Sequence, residues 1–428
     1  MKRVWHLPIR RKWLAHWLIL PLWRVYDCLA PKSPQHWAFF VHPLKASQFV
    51  ENSRALFEAV KADPAIHKRV FTRDLHADLR IEGACNTEVI DVQSLRGLAE
   101  LARCGVYLLT NAIALDMSWR WPNGSFSVVK PSLRRRILIN LWHGIPLKRL
   151  FALANPEQRQ RADRVAFRRK ERRHYHGLIA SSDVDSYAMA AIFHPIDYER
   201  IWITGLPRND FLRMPEQVLP HFLREEVEHI RRLKKNKRLV IYAPTFRETD
   251  LPGAGCYQFS EEQVRRLKEL LRRNGAVLGF RMHYFRKGDQ LFNLERYVDD
   301  ESIIDLGHAV ISEIAPVLRE ADLVLTDYSS VYIDALYLDR PVISFAYDLE
   351  HYRSKQNGLL YDMDIVFPGP VVTDFEALML ALEKELVEGD QVSCERYQIC
   401  KKFFFNHLDD QNAQRVVERL RMLNTYEE

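Results

Sequence analysis

The sequence predicts an α/β protein made of two similar halves in tandem, each with a mainly parallel sheet covered by helices. Short apolar runs alternate with amphipathic helical stretches, which is the pattern of strand-helix-strand units. The alternation restarts after a charged helical segment at 221–237. A chain of 428 residues also exceeds one ordinary core, so two domains of roughly 200 residues are expected.

Hydrophobic residues make up 47% of the chain and charged residues 28%, which fits a folded globular protein. The net charge of +6 is modest but unevenly spread. Lys2, Arg3, Arg10, Arg11, Lys12 and Arg24 all precede the first acidic residue, Asp27, and further basic clusters lie at 134–136, 168–173 and 231–238. Such patches suit polyanions, anionic lipid headgroups or phosphorylated substrates, and equally an ordinary solvated face. The six cysteines lack the paired spacing of a zinc site or disulfide framework, which favours a reducing compartment and mostly buried thiols.

In chain order, the segment Trp13 to Trp23 (WLAHWLILPLW) comes first. It does not read as a signal peptide: His16 and Pro21 interrupt it, tryptophans punctuate it, and no small-residue cleavage site follows. It is too short to span a bilayer. Trp13 and Trp17 lie one helical turn apart beside Leu14 and Leu18, with basic flanks, the pattern of an amphipathic helix in a membrane interface. A helix docked on its own protein fits equally. Residues 1–30 are therefore set apart from a first domain at 31–218, a second at 219–410 and a closing helix at 411–428.

Within the first domain, WAFFVH (37–42) reads as a core strand and 47–62 as a helix. Strand-like runs at 87–92 and 106–110 flank a helical 95–103, and ILINLW (137–142) leads directly into His143-Gly144. The basic stretch 159–175 reads as a solvent-facing helix, followed by strands at 177–182 and 200–204. After the charged helix come a strand at 238–243, a helix at 261–274, strands at 276–282 and 302–306, and a helix at 311–320. Then ADLVLTDYSSVYIDALYLDRPVISFAY (321–347) forms a strand-helix-strand unit. Its first apolar run stops at Thr326-Asp327, and its helix opens on Tyr328-Ser329-Ser330, where backbone N–H groups and hydroxyls suit an anion such as phosphate. Simple N-capping is the alternative for these serines. The stretch 375–426 is helical, and its end is expected to pack back across the first domain.

Ligands of open α/β sheets bind beyond the carboxyl ends of the strands. Five strands here end in polar, reactive residues: His143, Thr204-Gly205, Pro244-Thr245-Phe246-Arg247, His283 and Thr326-Asp327. A histidine in such a loop can take a proton from a hydroxyl near neutral pH.

WHGIPLK (142–148), GLPRND (205–210), YAPTFR (242–247), Arg-Met-His (281–283) and LTDYSSVYIDALYLDRPVISFAYD (325–348) follow one another in this order. With them, the span from about 137 to 370 resembles the CDP-glycerol glycerophosphotransferase family, enzymes that build teichoic acids and related capsule polymers. The resemblance implies a GT-B architecture, two Rossmann-like domains facing each other across a cleft. It implies that an acceptor hydroxyl attacks the β-phosphorus of CDP-glycerol or CDP-ribitol and releases CMP. His143 would then be the base, and His283 would hold the phosphate or protonate the leaving group. Arg247, Ser329 and Ser330 would stabilise charge on the phosphate oxygens. Thr326, Asp327 and Asp334 would complete the donor site, the two aspartates orienting polyol or ribose hydroxyls, with helix capping the alternative for Asp327. Lys148, Arg208, Asn209 and Asp210 are candidates for acceptor or phosphate contact, although the last three could equally fix a loop at a helix start.

This reading needs no cofactor and no metal; Asp362-Met363-Asp364 has the Asp-x-Asp look of metal-dependent sugar transferases but lies outside the five strand ends. The first 130 residues carry no motif of the family and would bind the acceptor, lipid-linked or polymeric. The expected location is peripheral, on the cytoplasmic face of the cell membrane against an anionic surface. Nucleic acid is not an expected partner, because the histidines and serines converge at strand ends, whereas aromatic and basic residues would interleave on a nucleic-acid surface. The alternative is a GT-B glycosyltransferase using a nucleotide sugar; the Thr-Asp-Tyr-Ser-Ser at 326–330 stands against it, in place of a Gly-rich turn and a ribose-binding Glu.

Overall fold

The computed structural model describes residues 9, 11–43, 48–155, 165–245, 256–282, 294–355 and 358–426. A helix with one π-turn (Ala15–Ile19) runs through 12–29. Its inner side carries Ala15, Trp23 and Asp27, and the Trp23 indole donates to the Leu98 carbonyl at 2.7 Å. Trp13, Trp17, Leu22, Val25 and Leu29 on the other side are each more than 60% exposed. The segment is thus docked on its own domain and still presents an apolar face outward.

Asp27 meets Arg136, whose Nη1 lies 3.0 Å from Asp27 Oδ2 and whose other nitrogens donate to the carbonyls of Leu101, Ala102 and Cys104. Arg136 is 2% exposed, so this member of the 134–136 basic cluster is structural and is not open to a polyanion. Removing one partner of a buried pair strands the other charge, at a cost of about 3–5 kcal/mol. Asp27→Ala is expected to lower the unfolding free energy by that amount in chemical denaturation, whereas Arg134→Ala, at an exposed position, stays within about 0.5 kcal/mol.

The first domain contains β1 (Ser33–Phe40), β2 (His67–Thr72), β3 (Thr87–Asp91), β4 (Cys104–Leu109), the antiparallel hairpin β5 (Trp119–Arg120) and β6 (Phe126–Ser127), β7 (Ile137–Asn140), β8 (Gly177–Ala180) and β9 (Ile201–Ile203). Seven of them form a parallel sheet in the order β3-β2-β1-β4-β7-β8-β9. β2 escapes a reading by apolar runs because its sequence, HKRVFT, is mostly polar. It belongs in the sheet because the buried Lys68 ammonium is satisfied by the carbonyls of Asp63 (2.6 Å) and Cys85 (3.0 Å).

The second domain repeats the plan with β10 (Arg238–Ala243), β11 (Ala276–Phe280), β12 (Ile303–Asp305), β13 (Leu323–Thr326), β14 (Val342–Phe345) and β15 (Val371–Val372), all parallel in the order β12-β11-β10-β13-β14-β15. Both sheets reverse their winding at one place, between β1 and β4 and between β10 and β13. A doubly wound sheet opens its ligand crevice beyond the carboxyl ends at such a point.

Side chains alternate between layers as strand geometry requires. Val106 and Leu108 of β4 and Leu239 and Ile241 of β10 share one core that spans both domains. Tyr107 and Leu109 face a second core, and Val240 and Tyr242 a third, on the other sides of the two sheets. The closing helix Asn412–Tyr426 crosses back onto the first domain, where Val416, Val417 and Leu420 join Leu56, Phe57 and Val60. Gly205 allows this: at φ +78° a Cβ there would lie 1.9 Å from Asn412 Oδ1. Of the six cysteines only Cys104 and Cys400 are buried, while Cys28 and Cys394 are exposed, which corrects the expectation of mostly buried thiols. Among the described residues no helix is long and apolar enough to cross a membrane.

Candidate active site

The chain leaves β7 through Asn140 and turns sharply at Trp142, whose φ is +47°. A bulky residue adopts that conformation only where its surroundings over-determine it, at a cost of roughly 1–3 kcal/mol. Here Leu141 N–H donates to Leu109 O at 2.7 Å, and Trp142 N–H to Asn140 Oδ1 at 2.8 Å. The Asn52 amide donates to the carbonyls of Leu141 (2.9 Å) and Trp142 (3.2 Å). The turn buries the Trp142 indole and leaves His143 exposed, the two rings 3.9 Å apart. Asn52 Oδ1 also accepts from Arg208 N–H at 3.0 Å, so one buried side chain fixes the loops after both β7 and β9.

In the second sheet the loop after β13 is tied to its neighbours. Thr326 Oγ1 donates to Ala243 O at 2.7 Å, the Asp327 carboxylate accepts from Thr245 N–H at 2.9 and 3.1 Å and from Tyr328 N–H, and Ser344 Oγ donates to Asp327 O at 2.8 Å. Thr326 and Asp327 are fully buried, and these bonds make them fasteners of the strand ends at the switch point. Ser329 and Ser330 are half-buried. Ser330 stands at the N-cap of the helix Val331–Tyr337, but its side chain makes no capping bond. Tyr328 stacks on Tyr352 with ring centroids 4.3 Å apart, and Lys148 Nζ lies 5.9 Å from the Tyr352 ring. Leu360 N–H donates to Leu147 O at 2.8 Å, which pins the WHGIPLK segment to the second domain.

The loops converge at Gly144. A Cβ there would lie 3.4 Å from Arg208 Nη2 and 4.0 Å from Ser330 Oγ, so the residue beside His143 is where the loops after β7, β9 and β13 meet. Arg208 and Asp334, expected to serve different ligands, are bound to each other: Nη2 lies 2.9 and 2.7 Å from the two carboxylate oxygens. The pair joins the domains across the cleft. Burial raises the Asp334 carboxyl above its usual range, and the Arg208 charge opposes that rise. Arg208 Nε and Asn209 Nδ2 are buried with no hydrogen-bond partner among the described residues.

Asp210 fixes a helix start, the alternative the sequence left open for it: it accepts from Asn412 and Ala413 N–H, each at 2.8 Å, and burial raises it to about 7. Arg281 is buried, with Nη1 on Leu306 O at 2.8 Å and Nη2 3.0 Å from His308 Nδ1, so it braces the loops beyond β11 and β12. His283 and Arg247 lie outside the described residues. Asp362 accepts from Asp364 N–H at 3.1 Å as the cap of a short helix.

Sequence reasoning missed Asn52, gave Trp142 of WHGIPLK no role of its own, and placed one group wrongly. The basic stretch expected to face solvent includes the helix Val165–Arg172, which turns Glu171 (3% exposed) and Arg172 (7%) inward. Glu171 Oε1 accepts from Tyr175 Oη at 2.6 Å and Ile113 N–H at 3.0 Å. Arg172 donates to Ile192 O at 3.1 Å and lies over the Phe151 ring at 4.4 Å. The available signal was a lone carboxylate in the run Arg168-Arg169-Lys170-Glu171-Arg172-Arg173.

Burial raises the Glu171 carboxyl from 4.5 to about 7, against the bonds from Tyr175 and Ile113. The folded chain therefore keeps a proton that the unfolded chain releases. That contribution is fully present below about pH 4.5 and is lost as pH rises to about 7, about 3 kcal/mol in all. Denaturation at pH 5 and pH 8 is expected to show a steeper loss of stability in the wild type than in Glu171→Gln.

Two doubly wound parallel sheets whose loops meet across a cleft define a GT-B transferase fold. The structure is similar to that of the wall teichoic acid polymerase TagF, with a TM-score of 0.74 at 20% identity over 95% of this chain and 93% of that one. The chain matches the CDP-glycerol:poly(glycerophosphate) glycerophosphotransferase family over residues 31–422 and belongs to it. It is 29% identical over 288 residues to the teichoic acid poly(glycerol phosphate) polymerase of Bacillus spizizenii, covering 63% of this chain and 68% of the relative. It is also 29% identical over 249 residues to the teichoic acid ribitol-phosphate polymerase TarL of Staphylococcus aureus, covering 58% of this chain and 42% of that longer protein.

Proposed function

We propose that this transferase moves glycerol phosphate or ribitol phosphate from a CDP-polyol to a hydroxyl of a lipid-linked or polymeric acceptor, releasing CMP, in the synthesis of a teichoic-acid-like or capsular polymer. The observation that carries the reading is the convergence at Gly144, where an exposed histidine sits beside Ser330 and the Arg208–Asp334 pair. His143 takes the proton of the acceptor hydroxyl as its oxygen bonds to the β-phosphorus, and the bond to the α-phosphate oxygen breaks as CMP leaves. Ser329 and Ser330 hold the phosphate oxygens, with Arg247, Lys148 and His283 completing the charge. Arg208, Asp334, Thr326 and Asp327 act by positioning the loops. No step in this scheme needs a metal or cofactor. Titration calorimetry tests the donor: CDP-glycerol or CDP-ribitol is expected to bind at least tenfold more tightly than UDP or GDP compounds, and a UDP-sugar preference would return the nucleotide-sugar alternative.

The outward face of the 12–29 helix supports a peripheral site at an anionic membrane. Trp13, Trp17, Leu22 and Leu29 point outward beside exposed Arg11, Lys12 and Arg24. Burying a large apolar side chain contributes about 1.5–3 kcal/mol, and each basic residue near an anionic surface about 1 kcal/mol. The double change Trp17→Ser and Leu22→Ser is expected to weaken co-sedimentation with phosphatidylserine-containing vesicles roughly a hundredfold, with the melting temperature unchanged.

A further inference from the structure

The helix Glu51–Val60 begins without a cap of its own. Val50 stands at its N-cap with no polar side chain to offer, and Glu51, its first residue, holds φ at +65°. Across the cleft, Glu313 stands at the N-cap of the helix Ile314–Glu320 and makes no capping bond there. Its carboxylate reaches the first domain instead, where Oε1 accepts from Glu51 N–H at 2.7 Å. We propose that Glu313 is a positioning residue for the transfer: it holds Glu51 in the left-handed conformation and, through Asn52, keeps in place the turn that presents His143. The catalytic part rests on the transferase reading above; the coupling between the domains stands apart from it.

A left-handed φ at a residue with a side chain is strained and persists only where the surroundings enforce it. The chain before Glu51 is anchored by Phe49 and Val50, both buried. The bond from across the cleft holds the residue itself. A hydrogen bond to an ionised carboxylate is roughly twice as strong as a neutral one, and a negative charge suits the N-terminus of a helix. Bond and strain are therefore of the same order, so losing the bond lets Glu51 relax. Glu313 is in turn fixed for this contact. Its own N–H donates to Glu226 Oε2 at 3.3 Å, and Ser312 N–H donates to Glu226 Oε1 at 3.0 Å. The buried Arg281 guanidinium balances the charges of Glu226, Glu313 and Glu51.

Asn52 carries the constraint to the catalytic loop. The backbone of Glu51 sets where the next residue places its side chain, and Asn52 is fully buried. Its amide donates to Leu141 O at 2.9 Å and Trp142 O at 3.2 Å, and its Oδ1 accepts from Arg208 N–H at 3.0 Å. Trp142 is itself left-handed, at φ +47°. One side chain thus links two strained residues, the first at the helix start and the second beside His143. A neighbouring bond, Gln48 Nε2 to His308 O at 2.7 Å, joins the same two domains and involves neither Glu51 nor Asn52, which makes it the control.

CMP release with a CDP-polyol and acceptor, and amide hydrogen exchange, both on the full chain, test the proposal. Glu313→Ala is expected to lower kcat about 30-fold, or about 2 kcal/mol, with donor KM nearly unchanged. Adding Glu51→Gly should restore kcat to within about threefold of wild type, because glycine takes a positive φ without a bond to hold it. Glu313→Gln keeps an acceptor oxygen without the charge and should lose only about threefold. Gln48→Ala should stay close to wild type. Residues 141–147 should exchange faster in Glu313→Ala and regain protection when Glu51→Gly is added. Melting curves check folding; if Glu313→Ala does not fold, Glu313→Gln with and without Glu51→Gly decides by the same rescue. An unchanged kcat in the Glu313 variants, a loss that Glu51→Gly does not relieve, or an equal loss in Gln48→Ala overturns the proposal. If the wild type releases no CMP, the transferase reading falls and exchange alone decides: the expected pattern keeps the coupling between the domains, and unchanged protection overturns it.

Discussion

His143→Ala is expected to lower acceptor-dependent CMP release by roughly 10²- to 10⁴-fold, the range lost with a positioned general base. Stability should hardly change, because His143 is exposed and the turn beneath it is fixed by Asn52, Asn140 and Leu109 through bonds the imidazole does not make. Donor affinity should also hold, since the proposed phosphate contacts of Ser329, Ser330, Arg247, Lys148 and His283 do not include the imidazole of His143. A kcat loss with unchanged donor KM therefore separates a base from a binding residue. His143→Gln should behave like alanine, because an amide keeps hydrogen bonding but takes no proton. If His143→Gln instead restored most of the rate, the histidine would be a donor to substrate and not a base.

Breaking the pair between the domains is expected to have the next largest effect. In Asp334→Ala the Arg208 guanidinium stays largely buried without its counter-ion, a loss of about 3–5 kcal/mol. Because the two residues belong to different domains, the loss should appear as a loosened cleft as well as a lower unfolding free energy, and small-angle scattering should show a larger radius of gyration. Arg208 Nη2 lies near the space above Gly144, so its displacement should also lower turnover. The double variant Arg208→Met with Asp334→Leu removes both charges and should recover much of the stability, so the single losses will not add. If stability returns and turnover does not, Arg208 also contacts substrate.

The strands with strong apolar runs, and the polar residues that end them, were legible in the sequence because strand periodicity and strand-end chemistry are local. His143 and its glycine beyond β7 and Thr326-Asp327 ending β13 could each be placed from a few neighbouring residues, although the first of these strands was read through to Trp142 and ends at Asn140. What each residue does across the cleft was not legible. Arg208 and Asp334 are 126 positions apart, and separately each looks like a ligand contact. Asn52 sits in the first turn of a helix remote in sequence from both loops it ties. Arg136 and Glu171 sat in basic runs that looked solvated, yet inside the fold carbonyls and Asp27 satisfy Arg136, and Tyr175 and Ile113 N–H donate to Glu171 Oε1. The mostly polar β2 shows the same limit of periodicity: Lys68 is acceptable in a buried strand only because two carbonyls reach it.

The central claim, a polyol-phosphate transferase, is tested most directly by CMP release from the purified full chain given CDP-glycerol or CDP-ribitol, with and without a lipid-linked or polymeric hydroxyl acceptor. Release that requires the acceptor, consumes one CDP-polyol in preference to the other and collapses in His143→Ala is the predicted result. No release with either donor, together with equal binding of CDP and UDP compounds, would contradict it.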